Sequence, residues 1–172
     1  NMKRLIKHNA KQVGILYHFT SAASIMNILK EDKLESNTGK ISFTRNQFYN
    51  EGNNDVGDRI EGYLQIDGNK LSNNYKIKPF HDQDYFNDYG YEFGSENMEQ
   101  EERLFLKDNN DLYGIKKYIT KIVIFKNDVW YSSYITRELL EKEFNEVPKV
   151  ITLDMILDFI NIYNSNIPIE VL

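Results

Sequence analysis

Leu16-Tyr17-His18-Phe19-Thr20 and, about one helix length later, Ile41-Ser42-Phe43-Thr44-Arg45-Asn46 are the stretches whose reading decides the fold. Each is a short apolar run that turns polar at its end. Residues 13–19 read as a buried strand. Lys40 to Thr44 reads as a second strand, with Ile41 and Phe43 alternating against Ser42 and Thr44. Between them, Ser21 to Lys30 reads as a helix. Thr20 or Ser21 offers the N-cap oxygen, and Ile25, Ile28 and Leu29 fall at i, i+3 and i+4 on one side. Asn37-Thr38-Gly39 is a turn. This layout brings a His and a Thr out of the core at one strand end and a Thr-Arg-Asn at another, which suggests a pocket for an anionic, ribose-bearing ligand.

Further along, residues 46–58 are polar and Gly-rich and read as a loop. Arg59 to Ile66 alternates as a third strand, with Asp67-Gly68-Asn69 as the turn after it. Leu71 to Phe80 reads as a short turn and an extended piece, and residues 81–97, acidic and aromatic but poor in aliphatics, as a long loop. Glu99 to Leu106 is either a strand or a helix start. Tyr118 to Phe125 is the clearest strand of the chain. Thr136 is read as the cap of a helix through about Phe144, Val147 to Ile151 as a short strand broken by Pro148, and Thr152 as the cap of a last helix. That helix carries the stripe Ile156, Phe159, Ile160 and Tyr163. The mixed order predicts an α+β fold. Asn1, which precedes Met2, is set aside, so one domain is expected over residues 2–172.

The balance of 41% hydrophobic and 27% charged residues is that of a globular chain, and 13% aromatics suffice for a core. No apolar run approaches the length of a membrane span, and the basic start Lys3 to His8 lacks the apolar stretch of a signal peptide. With no cysteine, disulfides, thiolate catalysis and Cys-based zinc sites are excluded. A cytoplasmic protein is expected. The formal charge of −5 disfavours broad nucleic-acid binding, which needs cations against phosphates, but leaves a locally basic groove open. Richness in Asn, Lys, Ile and Tyr fits low-GC coding, as in a low-GC bacterium or its phage.

Three groups of residues are candidates for chemistry. His18 with Thr20 suits a ribose hydroxyl, or else His18 is satisfied by nearby backbone. Arg45 presents a fork suited to a diphosphate or a carboxylate, or else is an ordinary surface cation. Glu99, Glu101 and Glu102 are either a solvated acidic face or carboxylates able to act as bases or to stabilise an oxocarbenium-like transition state. No metal site is expected, because none of the three histidines stands at i+3 or i+4 from another ligand. A Gly-rich phosphate loop, a Walker-type Lys-Ser/Thr and a Gly-x-Ser-x-Gly elbow are all missing from the sequence.

Taken together, these motifs resemble the ADP-ribosyltransferase superfamily, with DarT-type DNA ADP-ribosyltransferases as the nearest likeness. Those enzymes open with a strand ending Tyr-His-x-Thr and a helix ending Ile-Leu, matched here by Tyr17-His18-Phe19-Thr20 and Ile28-Leu29. Their second strand carries an Arg, where Phe43-Thr44-Arg45 stands. A Glu on a late strand follows a long substrate loop, where Gln100-Glu101-Glu102-Arg103-Leu104-Phe105 fits. The likeness covers roughly residues 15–50 and 95–106. Ser24 replaces an Asn usual early in the family's first helix, and Asp67 to Ser72 looks more like phage proteins than like DarT.

The resemblance implies an ADP-ribosyltransferase-like fold of split mixed and antiparallel sheets with flanking helices. It implies NAD as substrate, its ribose and nicotinamide amide held by His18 and Thr20, with Tyr17, Thr44 and Tyr49 beside them. Phe48 is a further stacking candidate. Arg45 would steer the pyrophosphate side, and Glu102 would be catalytic because the family Glu immediately precedes apolar strand residues. The Glu-x-Glu spacing of Glu99-Gln100-Glu101 keeps Glu101 open. The implied activity is ADP-ribosyl transfer to an unidentified protein, nucleic acid or small molecule, as by a phage or toxin effector in a host cytoplasm. The alternative is a non-catalytic binding protein on the same fold, such as a phage inhibitor of a host defence protein, with Asp82 to Phe93 as its interface. An RNA 2′-phosphotransferase is less well matched, since only Arg45 and His18 supply the basic groups that activity relies on.

Overall fold

The computed structural model describes residues 13–48, 60–79, 101–126 and 134–172. Tyr49, most of the loop 46–58, the stretch 81–97 and Glu99 lie outside the described residues. The architecture is α+β. Strands β1 (Ile15–Thr20), β3 (Lys40–Thr44), β4 (Gly62–Asp67), β5 (Lys76–Pro79), β6 (Glu101–Phe105), β8 (Ile119–Ile124) and β9 (Ile169–Val171) make one seven-stranded sheet in the order β5-β6-β3-β1-β4-β8-β9. Neighbours are antiparallel except β8 and β9, which run parallel. Strands β2 (Lys33–Leu34) and β7 (Leu112–Tyr113) pair separately. The helices are α1 (Ala22–Glu31), the short α2 (Gly68–Ser72), α3 (Tyr134–Glu143) and α4 (Leu153–Tyr163). Among the described residues no helix is long and apolar enough to cross a membrane.

Alternation along each strand builds two unequal faces, because successive side chains point to opposite sides. On one face Leu16, Phe43, Leu64, Ile66, Leu104 and Ile122 join α1, α3 and α4 in the main core. Helix α1 buries Ala22, Ile25, Met26 and Leu29 there and packs on α3 and α4. On the other face Tyr17, Tyr63 and Val123 form a smaller cluster with Phe19 and Phe125 against it. Tyr17 meets Tyr63 edge-on at 5.5 Å between ring centroids. Gly62 is fixed by close approach: a Cβ there would lie 2.2 Å from the Val123 carbonyl oxygen on the neighbouring strand.

Local chemistry explains where the elements differ from the sequence expectations. Ser21, not Thr20, caps α1, its side chain accepting from the Ser24 N–H at 3.1 Å, while Thr20 still belongs to β1. Asp67-Gly68-Asn69 is the start of α2 rather than a plain turn, because the Asp67 carboxylate accepts from the Lys70 N–H at 3.0 Å. Glu101–Phe105 is a strand, which settles the Glu99–Leu106 ambiguity for the described part. Thr136 is buried inside α3 and does not cap it. Residues 147–151 form no strand; Val150 is 72% exposed, and Arg137 donates to the carbonyls of Pro148 and Lys149 at 3.0 and 2.6 Å. Thr152 does occupy the N-cap of α4, but without a side-chain capping bond.

Candidate functional site

The seam between β1 and β3 is the narrowest point of the sheet: a single register pair, Tyr17 opposite Thr44, joins the two strands. Beyond it the side chain of His18 substitutes for the ladder, with Nδ1 and the Ser42 carbonyl oxygen 3.2 Å apart. A carbonyl can only accept, so Nδ1 carries the proton and Nε2 is left as an acceptor. Burial pushes the His18 pKa below the usual 6.5, and the bond to Ser42 offsets part of that shift. His18 is therefore neutral at pH 7. Its ring stands edge-on to Phe43, centroids 5.8 Å apart.

Register carries this row across the sheet. His18 lies opposite Leu64 on β4, and Phe43 lies opposite Glu102 on β6, which in turn lies opposite Pro79 on β5. Residues in register share a face, so His18, Phe43 and Glu102 share one, with Glu102 two strands from His18, about 10 Å by strand spacing. Arg45 follows directly after β3. Its Nη1 stands 3.8 Å from Glu102 Oε1 and also donates to the Val13 carbonyl. The Glu102 side chain is 2% exposed and that of Arg45 22%. A partly buried Arg45 side chain thus faces a buried Glu102 side chain.

Next to this row, His18 and Thr20 line a cleft of about 470 Å³ against Ser24, Asn27 and Ile28 of α1, extending to Lys33 and Glu35. The volume lies in the range of small-molecule sites. Arg45 and Glu102 do not line it. The described structure therefore brings together His18 with Thr20, and Arg45 with Glu102, as neighbouring pairs on one face.

The other expected residues fall elsewhere. Tyr17 and Thr44 point to the opposite face, where Tyr17 is buried against Tyr63. Glu101, opposite Thr44, shares that face; it accepts from Ser42 Oγ at 2.9 Å and pairs with Arg103. The adjacent carboxylates thus serve different sides of the sheet. Tyr49 lies outside the described residues. Phe48 is 52% exposed.

Glu61 has a part that the sequence reading missed. Buried just before β4, it accepts from the Ala22 N–H through Oε1 at 3.3 Å, and its own N–H donates to the Thr20 carbonyl at 2.9 Å. A carboxylate at the first turn of α1 complements the helix dipole and fixes Thr20 at the cleft rim. No local signal marks it, because its partner amide belongs to a helix far away in sequence. Among the described residues, no group of three or more metal-ligating side chains comes together.

The sequence matches no protein-family model and no characterised protein, so the placement of these residues carries the functional argument.

Proposed function

We propose that this protein transfers ADP-ribose from NAD to an acceptor, on an ADP-ribosyltransferase-like fold. The observation that carries the reading is the shared face: His18, Phe43 and Glu102 in one row, Arg45 against Glu102, and a cleft opening beside His18 and Thr20. The main strands form one continuous seven-stranded sheet rather than separate split sheets, and the narrow β1–β3 seam, held by a single register pair, is the feature that supports a split-sheet reading. In this reading His18 Nε2 accepts from a ribose hydroxyl, Thr20 holds the nicotinamide amide, and Arg45 neutralises the pyrophosphate. The nicotinamide–ribose C–N bond breaks, and its electron pair leaves with nicotinamide. The positive charge that builds on the ribose is stabilised by Glu102, and the acceptor nucleophile forms the new bond to the same carbon while losing its proton to the carboxylate. For this to occur the Arg45–Glu102 pair opens, so that both groups turn toward the cleft.

The test is NAD binding and turnover together. At NAD near a hundred times its Kd, binding stabilises the fold by about 2.7 kcal/mol, a rise in Tm of about 5–10 °C for a chain of this size. His18→Ala loses that shift, whereas Glu102→Gln keeps it and stops nicotinamide release. Absence of any shift at millimolar NAD overturns the proposal. One observation favours a second reading, a non-catalytic binding protein on this fold: Arg45 already has two internal partners, Val13 and Glu102. Wild-type protein that binds NAD without releasing nicotinamide decides for that reading.

A further inference from the structure

Arg45 and Glu102 neutralise each other. Arg45 Nη1 stands 3.8 Å from Glu102 Oε1 and donates to the Val13 carbonyl, and neither side chain lines the cleft beside His18 and Thr20. The frame under the pair is fixed. Val13 is buried, the Gly14 N–H donates to Asn69 Oδ1 at 2.9 Å, and a Cβ at Gly68 would lie 2.3 Å from the Gly14 carbonyl oxygen. Arg45 Nη2 lies against Gly14 itself, 3.6 Å from where a Cβ would stand. The pair is thus seated on packed backbone, unlike the exposed i, i+4 pairs of α3.

The two partners differ in access. The Arg45 side chain keeps 22% of its surface in solvent and that of Glu102 keeps 2%. An anion arriving from solvent therefore meets Arg45 first. A diphosphate is a better partner for the guanidinium than one carboxylate, because it carries more charge and offers oxygens on two phosphorus atoms to the fork. With Arg45 taken, Glu102 faces a second anion and loses the guanidinium as its counter-charge, which is strongly unfavourable for a buried carboxylate. The positive charge that develops on the ribose supplies the replacement. A nucleoside without phosphates presents nothing that draws Arg45 away.

We propose, resting on the NAD reading above, that the Arg45–Glu102 pair is an autoinhibitory latch released by the pyrophosphate of the dinucleotide. The latch makes Arg45 a specificity determinant: the site cleaves pyrophosphate-bearing nicotinamide dinucleotides and spares the bare nucleoside. Binding of the non-reacting pyrophosphate frees the group that acts at the ribose, so a truncated substrate loses turnover and not only affinity. When no other acceptor is present, the nicotinamide–ribose C–N bond breaks with its electron pair on nicotinamide. Water then forms the new C–O bond and gives its proton to Glu102.

The first measurement is calorimetric titration of the full chain with inorganic pyrophosphate, without NAD. Wild type is expected to bind it, and Glu102→Gln to bind it about tenfold more tightly because the competing carboxylate is gone, a difference of about 1.4 kcal/mol. Arg45→Gln loses the binding, and Glu138→Gln on α3, 48% exposed, leaves it unchanged. No binding to wild type, equal affinity in Glu102→Gln, or binding retained in Arg45→Gln overturns the latch. The second measurement is nicotinamide release from NAD and from nicotinamide riboside. Wild type is expected to cleave the riboside slowly, and added pyrophosphate to raise that rate about tenfold or more, whereas sodium chloride of equal ionic strength does not. Arg45→Gln inverts the preference, cleaving NAD more slowly and the riboside faster than wild type. That variant also loses its bond to Val13, so stimulation of wild type by pyrophosphate is the arm that needs no variant. Turnover of NAD together with riboside cleavage indifferent to pyrophosphate overturns the latch and leaves the transferase reading standing; absence of NAD turnover overturns both.

Discussion

Arg45→Ala and Glu102→Gln, made singly and together, ask whether the ion pair at the centre of the site is structural. Nη1 and Oε1 are 3.8 Å apart. At an effective dielectric of about 20 that separation corresponds to about 4 kcal/mol of Coulomb attraction. Two features reduce it. The Arg45 side chain keeps 22% of its surface in solvent, which screens the pair, and Glu102 has further interactions within the fold. A coupling energy of about 1–2.5 kcal/mol is expected. Arg45→Ala also loses the bond to the Val13 carbonyl, about 1 kcal/mol more, and leaves a carboxylate that is 2% exposed facing a gap. Its total loss is therefore about 3 kcal/mol. Glu102→Gln, which removes the charge but keeps the shape, costs less. The double variant is more stable than the sum of the singles predicts. Urea unfolding followed by far-UV circular dichroism gives all four free energies from one linear extrapolation. A coupling below about 0.5 kcal/mol, the usual limit of additivity for independent sites, refutes the reasoning. The result also decides how loss of NAD binding in any Arg45 variant is read, because a large coupling makes part of that loss a loss of fold.

Two further outcomes follow from single groups. His18 is held below its ordinary pKa of 6.5 by burial, so the unfolded chain takes up a proton that the folded chain resists. Stability is full above about pH 6.5 and declines as pH falls below it; His18→Gln flattens this decline in urea midpoints measured between about pH 7.5 and about pH 5, and identical slopes would count against the burial argument. Gly62→Ala drives a Cβ to 2.2 Å from the Val123 carbonyl oxygen and 3.0 Å from Ile25 Cδ1, a backbone clash expected to cost about 3 kcal/mol, and an unchanged thermal midpoint would show that β4 and β8 separate freely.

What the sequence makes legible here is what neighbours in sequence decide. β1, β3 and α1 follow from alternation, a capping hydroxyl and an i, i+3, i+4 stripe, and these signals need no distant partner. Short β2, β7 and β9 are invisible because two or three residues carry no period; they are strands only by virtue of the strand beside them. The run 147–151 misleads for the converse reason. Its valines and isoleucine favour a strand, but no described strand lies beside it, and Arg137 takes its carbonyls instead. Thr136 has the chemistry of a cap yet sits inside α3 with its side chain fully buried, and burial is not written in the neighbouring sequence.

The same limit runs through the site and explains the division of labour between Glu101 and Glu102. Sequence order places them side by side, and composition gives them the same chemistry. Only register separates them. Tyr17 opposite Thr44, and Thr44 opposite Glu101, put Glu101 on the outer face, where it neutralises Arg103. Phe43 opposite Glu102 puts the second carboxylate on the core face with His18 and Arg45. A shift of one residue between β3 and β6 would exchange the two. It would also bury Arg103 and the lysines of β5 and expose Leu104 and Ile77. The apolar alternation of β6 and β5 therefore enforces the polar arrangement: the burial of Ile41, Phe43, Leu104 and Ile77 holds one carboxylate on the face it shares with His18 and holds the cations on the opposite side.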